Sequence, residues 1–155
     1  GGALATACGQ AAAPDIAIPQ KGTIFSFSEV KLGIIPATIS PYIINAIGAR
    51  WARALFVTAE RFDADVAAKI GLVHHVVENE TAMDKLVEHY AELVYGASPA
   101  AIADTKSLVA EVTGEIIDAG LGHKTAKRLA HRRVSPQGKE GLSAFLEKRK
   151  PDWAR

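Results

Sequence analysis

An α/β (α+β) fold is the class this sequence predicts, on three observations. Short apolar runs with β-branched and aromatic residues are confined to the first half of the chain, among them Ile16-Ala-Ile18, Thr23 to Ser28 and Leu72 to Val77. From Thr81 onward, caps and breakers outline helices only. Finally, 155 residues with 48% hydrophobic and 23% charged content have enough apolar material for a packed core and too little charge for a disordered chain. Strands early and helices late give layering with a helical C-terminal module.

The elements follow in order. Gly1 to Ala13 is Ala-rich and reads as a helix that Pro14 stops before the first strand, Ile16–Ile18. Thr23 to Ser28 alternates apolar with small polar residues and reads as the second strand, and Lys31 to Pro36 is a loop punctuated by Gly33 and Pro36. Ser40-Pro41 has the form of an N-cap followed by an N1 proline, opening a helix that ends near Gly48, with a further helix from Ala49 to Ala59. Asp63 can cap a short helix from Ala64 to Ile70, closed by Gly71. Leu72 to Val77 is extended. Thr81 and Ser98-Pro99 start helices, Gly96 and Gly114 break them, and Pro136 and Pro151 bound the last one, Gly138 to Lys150.

Glu29 stands out. At period two it shares a face with Phe25 and Phe27, while Ile24, Ser26 and Ser28 share the other. Either the strand ends at Ser28 and Glu29 sits in water near Lys21 or Lys31, or the carboxyl is held against aromatic rings. A carboxyl so held loses hydration and keeps its proton more readily, which suits it to proton transfer.

Eighteen basic against seventeen acidic residues leave a formal charge of +1, which excludes a nucleic-acid footprint over the whole molecule. Positive charge concentrates at His123 to Arg133 and Glu147 to Lys150, as a phosphate contact or an ordinary solvated helix face. The single cysteine, Cys8, excludes an internal disulfide and a multi-cysteine metal site, so a cytoplasmic location is expected. No apolar run approaches the roughly 20 residues that span a bilayer, and no membrane partner is expected. The chain opens with Gly1 rather than Met, and its first residues read as the interior of an element, so a truncated chain is expected.

Several blocks together carry a resemblance: Asp15-Ile-Ala-Ile18, Phe25 to Pro36, Leu55 to Phe62, Ala67 to Val73, and Glu140 to Pro151. In this order and spacing they resemble the crotonase, or enoyl-CoA hydratase/isomerase, superfamily, and Leu32 to Tyr42 is most similar to its methylglutaconyl-CoA hydratase branch of leucine and isoprenoid breakdown. The resemblance implies part of a ββα spiral over residues 1–97 and a helical oligomerisation region over residues 98–155, forming trimers or hexamers. It implies an acyl-CoA thioester as substrate, with no cofactor. Glu29 matches the second catalytic glutamate of the hydratases, so the resemblance favours its reactive reading.

Family chemistry stabilises a thioester enolate with two backbone N–H donors at the carbonyl oxygen. By the resemblance one donor is the amide of Thr6, where the family has a glycine run; here the run is Ala5-Thr-Ala7. The first catalytic glutamate falls on Gly9, leaving one family carboxylate, and the family's N-terminal half, with the other donor and most of the CoA cradle, has no counterpart. Lys148 matches a lysine near the CoA phosphates of a neighbouring subunit, and Leu129 a position that can line the acyl pocket. The expected reaction is hydration of a branched 2-enoyl-CoA. The alternatives are double-bond isomerisation and a catalytically incomplete fragment retaining only oligomerisation surfaces. No metal is assigned: His74 and His75 adjoin on an extended segment and point to opposite faces, and His123 and His131 lack an acidic partner at metal-site spacing. Trp51 and Trp153 are read as packing anchors.

Overall fold

The computed structural model describes residues 2–3 and 11–154. Strand β1 is Gly2–Ala3 and residues 11–12 are helical. Strand β2 is Ile24–Phe25 and a 3₁₀ turn spans Glu29–Leu32. Helix α1 is Ser40–Thr58, β3 is Phe62–Asp63 and α2 is Ala64–Lys69. Four helices follow: α3 (Glu80–Tyr95), α4 (Pro99–Val112), α5 (Ala119–Val134) and α6 (Pro136–Leu146). The chain divides into two compact units, Gly1–Leu86 and Val87–Arg155, with the division inside α3.

The first unit holds a mixed sheet ordered β1-β2-β3. Gly2 and Ala3 pair in parallel with Ile24 and Phe25, and Ile24 and Phe25 pair antiparallel with Asp63 and Phe62. The strands are short because the extended segments around them are held by other means. Ile16–Ile18 is not a strand: Ala17 donates its N–H to Nδ1 of His74 (3.1 Å) and accepts from the His74 N–H (2.9 Å), so a side chain occupies the place a ladder bond would take. Pro19 has no N–H to offer, and its carbonyl accepts from Val77. Pairing between this segment and Leu72 to Val77, expected as a strand or extended segment, is therefore reduced to one bridge, Gln20 with Val77. The helix expected from Gly1 cannot begin there, because Gly2–Ala3 is β1.

The core of this unit is aromatic at the sheet. Phe25 stacks on Phe62 with centroids 5.6 Å apart, and Phe27 meets Phe56 edge-on at 5.0 Å. Ile43, Ile47, Ala52 and Leu55 of α1, Ala64 and Ala67 of α2, and Leu72 complete it. Ser26, between the two phenylalanines, donates its hydroxyl to the Ala59 carbonyl at the end of α1. Helix α1 carries the break expected at Gly48, which has φ 73°. Its N-cap is Ile39, not Ser40: the Ser40 hydroxyl donates to the Ala37 carbonyl and so caps nothing. Asp63 caps α2 by accepting from Val66 N–H at 2.9 Å, and Gly71 follows with φ 85°. Trp51 is 46% exposed and is not a buried anchor.

In the second unit α4, α5 and α6 pack on one another. Arg132 pairs with Asp104 and Arg128 with Glu111, each at 2.7 Å, tying α5 to α4. Gln137 accepts from the Ser98 hydroxyl and the Ala100 N–H, tying α6 to the start of α4. Ser98 and Ser135 cap α4 and α6 ahead of prolines. A Cβ on Gly138 would collide with the Arg132 carbonyl, so the corner from α5 into α6 needs glycine. Helix α3 starts at Glu80, behind an Asn79 side chain that accepts from Ala82, one residue before the expected Thr81. Helix α6 runs Pro136–Leu146 instead of Gly138–Lys150, because the chain leaves helical geometry at Lys148, φ 56°.

Candidate active site

Glu29 sits where the sheet ends and the first unit's helices begin. Ser28, at φ −90° and ψ 3°, closes the extended run, so the carboxylate reaches its place through a 3₁₀ turn and not through strand alternation. Continuing the period of two from Phe25 and Phe27 through Glu29 is therefore a correction. The strand itself stops at Phe25, because in the antiparallel register the next residue facing it beyond Phe62 is Arg61, which lies in the connection from α1 and outside β3. Gly33, φ 74°, ends the turn in the left-handed conformation that glycine adopts freely, and its N–H with that of Ile34 closes onto the carbonyls of Val30 and Glu29. The turn packs against α1.

The Glu29 side chain is half-buried, and its Oε2 is shielded from solvent with no hydrogen-bond partner among the described residues. Among the described residues no other carboxylate oxygen is in this state. Withdrawing such an oxygen without a donor is costly, and a catalytic role is one of the reasons native structures keep one. The arrangement suits a group that exchanges a proton with a ligand: a turn closed by backbone hydrogen bonds and a shielded oxygen with a lone pair to offer.

The other expected site residues are less concentrated. Thr6, with Gly9 and the Ala5-Thr-Ala7 run, lies outside the described residues. Leu129, on α5 of the second unit, is 62% exposed. Lys148, just past α6 in the same unit, is exposed. An open groove along α1 is lined by Ala49, Arg50, Arg53, Ala54, Val57 and Thr58, and Glu29 is not among these residues. His74 is an acceptor for the backbone, and among the described residues no three potential metal ligands cluster. No helix of the described residues is long and apolar enough to cross a membrane.

One feature of the basic C-terminal run escaped sequence reasoning. Arg149 makes a two-pronged pair with Glu140, Nη1 to Oε1 at 2.6 Å and Nη2 to Oε2 at 2.9 Å, and its Nε donates to Glu147 at 2.7 Å. The Asp152 N–H also donates to Glu140 Oε1, at 3.0 Å. The Arg149 guanidinium, chiefly through these hydrogen bonds, lowers the Glu140 carboxyl to about 2, and Glu140 raises Arg149 in return. Read as a charge run, Glu147 to Lys150 hides this arrangement, since the partners are nine residues apart and follow no helical spacing.

The whole chain, residues 1–155, matches the family model described as enoyl-CoA hydratase/isomerase. A solved enoyl-CoA hydratase from Shewanella pealeana is 40% identical, with a TM-score of 0.93 over 99% of this chain and 57% of that one. A peroxisomal Delta(3,5)-Delta(2,4)-dienoyl-CoA isomerase from Arabidopsis thaliana is 31% identical over 154 residues, covering 98% of this chain and 52% of the relative. A carnitinyl-CoA dehydratase from Citrobacter koseri is 30% identical over 155 residues, covering 92% and 56%. The chain spans about half the length of the curated relatives it matches.

Proposed function

Because the chain belongs to the enoyl-CoA hydratase/isomerase family, we propose that it supplies the acid/base part of a site that adds water to a branched 2-enoyl-CoA thioester. The observation that carries this reading is the shielded Oε2 of Glu29, unpartnered among the described residues, in the residue that the sequence resemblance matches to a catalytic glutamate. In hydration the water oxygen bonds to C3, the double-bond electrons move onto the thioester oxygen, and a proton arrives at C2. Glu29 accepts the proton that the water gives up as its oxygen bonds to C3, and delivers it to C2 as the enolate electrons return from the thioester oxygen. The Thr6 amide donates to the thioester oxygen while its charge develops. Lys148 offers an ammonium to the phosphates of a CoA held by a neighbouring subunit, and Leu129 stands at a position that can line an acyl pocket. A homotrimer or hexamer, a cytoplasmic location and a place in leucine breakdown belong to the same reading.

Isomerisation is the second reading, supported by the single family carboxylate and by the name of the Arabidopsis relative. A lone carboxylate can shuttle one proton between two carbons. Product analysis separates the two. The chain is incubated with a 2-enoyl-CoA and a 3-enoyl-CoA, alone and with the amino-terminal part of a full-length relative added separately. A 3-hydroxyacyl product supports hydration and double-bond migration supports isomerisation. Silence throughout, with folding intact, overturns both and leaves a non-catalytic chain.

A further inference from the structure

The end of α6 is built in a way that a purely structural helix terminus does not need. Arg149 N–H closes onto the Ala144 carbonyl at 3.0 Å and Lys148 N–H onto that of Phe145 at 3.3 Å, the paired bonds of a helix that stops on a left-handed residue. That residue is normally glycine, because a Cβ there crowds the backbone. Here it is Lys148, at φ 56°. Strain of this kind persists where surrounding contacts over-determine it, and it gathers at functional positions. Those contacts are present. The next residue, Arg149, is gripped by both oxygens of Glu140 and by Glu147, and the Asp152 N–H secures Glu140 from the far side. Trp153 covers Gly141, where a Cβ would stand 3.0 Å from its ring, so the segment folds back onto α6. Meanwhile Lys148 itself makes no ion pair among the described residues.

We propose that Glu140 and Arg149 are positioning residues whose clasp holds Lys148 in its strained backbone conformation, fixing the direction in which its side chain leaves the backbone to carry an ammonium toward a phosphate of a CoA thioester. This rests on the reading of Lys148 given above. Glycine would end the helix better and lysine can only serve through its side chain, so the position trades stability for a cation at a fixed point of the backbone.

Thermal melting and binding of coenzyme A to the full chain test this with Lys148→Gly, Lys148→Ala, Glu140→Gln, Arg149→Lys and the double variant Glu140→Gln with Lys148→Gly. Lys148→Gly is expected to raise the melting temperature by about 2–4 °C, whereas Lys148→Ala, which keeps the Cβ, is not. Both lose about tenfold in affinity for coenzyme A, the worth of one charge-assisted contact. Glu140→Gln and Arg149→Lys each lose affinity several-fold, and Glu140→Gln costs nothing further once Lys148 is glycine. Unchanged affinity in Glu140→Gln and Arg149→Lys makes the clasp merely structural and overturns the assignment. No rise in melting temperature for Lys148→Gly overturns the strain on which it stands. If the unaltered chain binds no coenzyme A, the functional reading of Lys148 falls and this role falls with it; the melting comparison still reports the strain separately.

Discussion

Replacing Glu29 by methionine should make the protein more stable while removing its chemistry. Methionine has nearly the length and volume of glutamate, so the half-buried side chain keeps its packing, and the 3₁₀ turn keeps its bonds because they are all backbone. What disappears is Oε2, shielded from solvent without a partner among the described residues. An unsatisfied buried polar group costs about 1–3 kcal/mol. The remaining exposure of the side chain places the net gain near the lower end, about 1 kcal/mol, which for a chain of this length is about 2–4 °C in melting temperature. Glu29→Gln is the control: it keeps one oxygen, adds an N–H that also needs a partner, and should show no gain. The assay is thermal unfolding of the three proteins in parallel, with urea titration to check that the slope of the transition is unchanged. A lower melting temperature for Glu29→Met would refute the reasoning, since the carboxylate would then be held by stabilising contacts.

Three further outcomes are expected. Phe27→Ala removes a fully buried ring that meets both Phe56 and Phe62, and should cost about 3–5 kcal/mol in denaturant unfolding. Gly138→Ala drives a Cβ into the Arg132 carbonyl and should open the corner between α5 and α6, read as a lower melting temperature and faster hydrogen exchange at the start of α6. Glu140 titrates at about 2 instead of the ordinary 4.5. A depressed folded-state value means that the clasp's contribution is complete above pH 4.5 and fades as the pH falls through about 2; carboxyl NMR across that window should give the low midpoint.

Local chemistry was legible in the sequence, and long-range substitution of one bond type for another was not. Asp63 as a cap, Gly71 as a left-handed end, the breaks at Gly48 and Gly114 and the Ser98-Pro99 start are decided within a few residues, and the structure places them as read. The small sheet was over-read because an apolar run does not say what its backbone pairs with. His74, 57 residues from Ala17, supplies a ring nitrogen where a strand would supply a carbonyl. Glu29 was singled out by its phenylalanine neighbours, yet a turn and not the strand brings it to its seat. The clasp at Glu140 and Arg149 escaped because a left-handed lysine is rare enough that no propensity argument anticipates it.

The central claim is that Glu29 carries the proton in the reaction, and one measurement addresses it directly. The rate of 2-enoyl-CoA hydration is followed by loss of enoyl-thioester absorbance, with the amino-terminal part of a full-length relative supplied, for the unaltered chain and for Glu29→Gln. Loss of about 10²–10⁴-fold in rate with coenzyme A binding retained is the predicted result. Hydration by Glu29→Gln within a few-fold of the unaltered chain would contradict it.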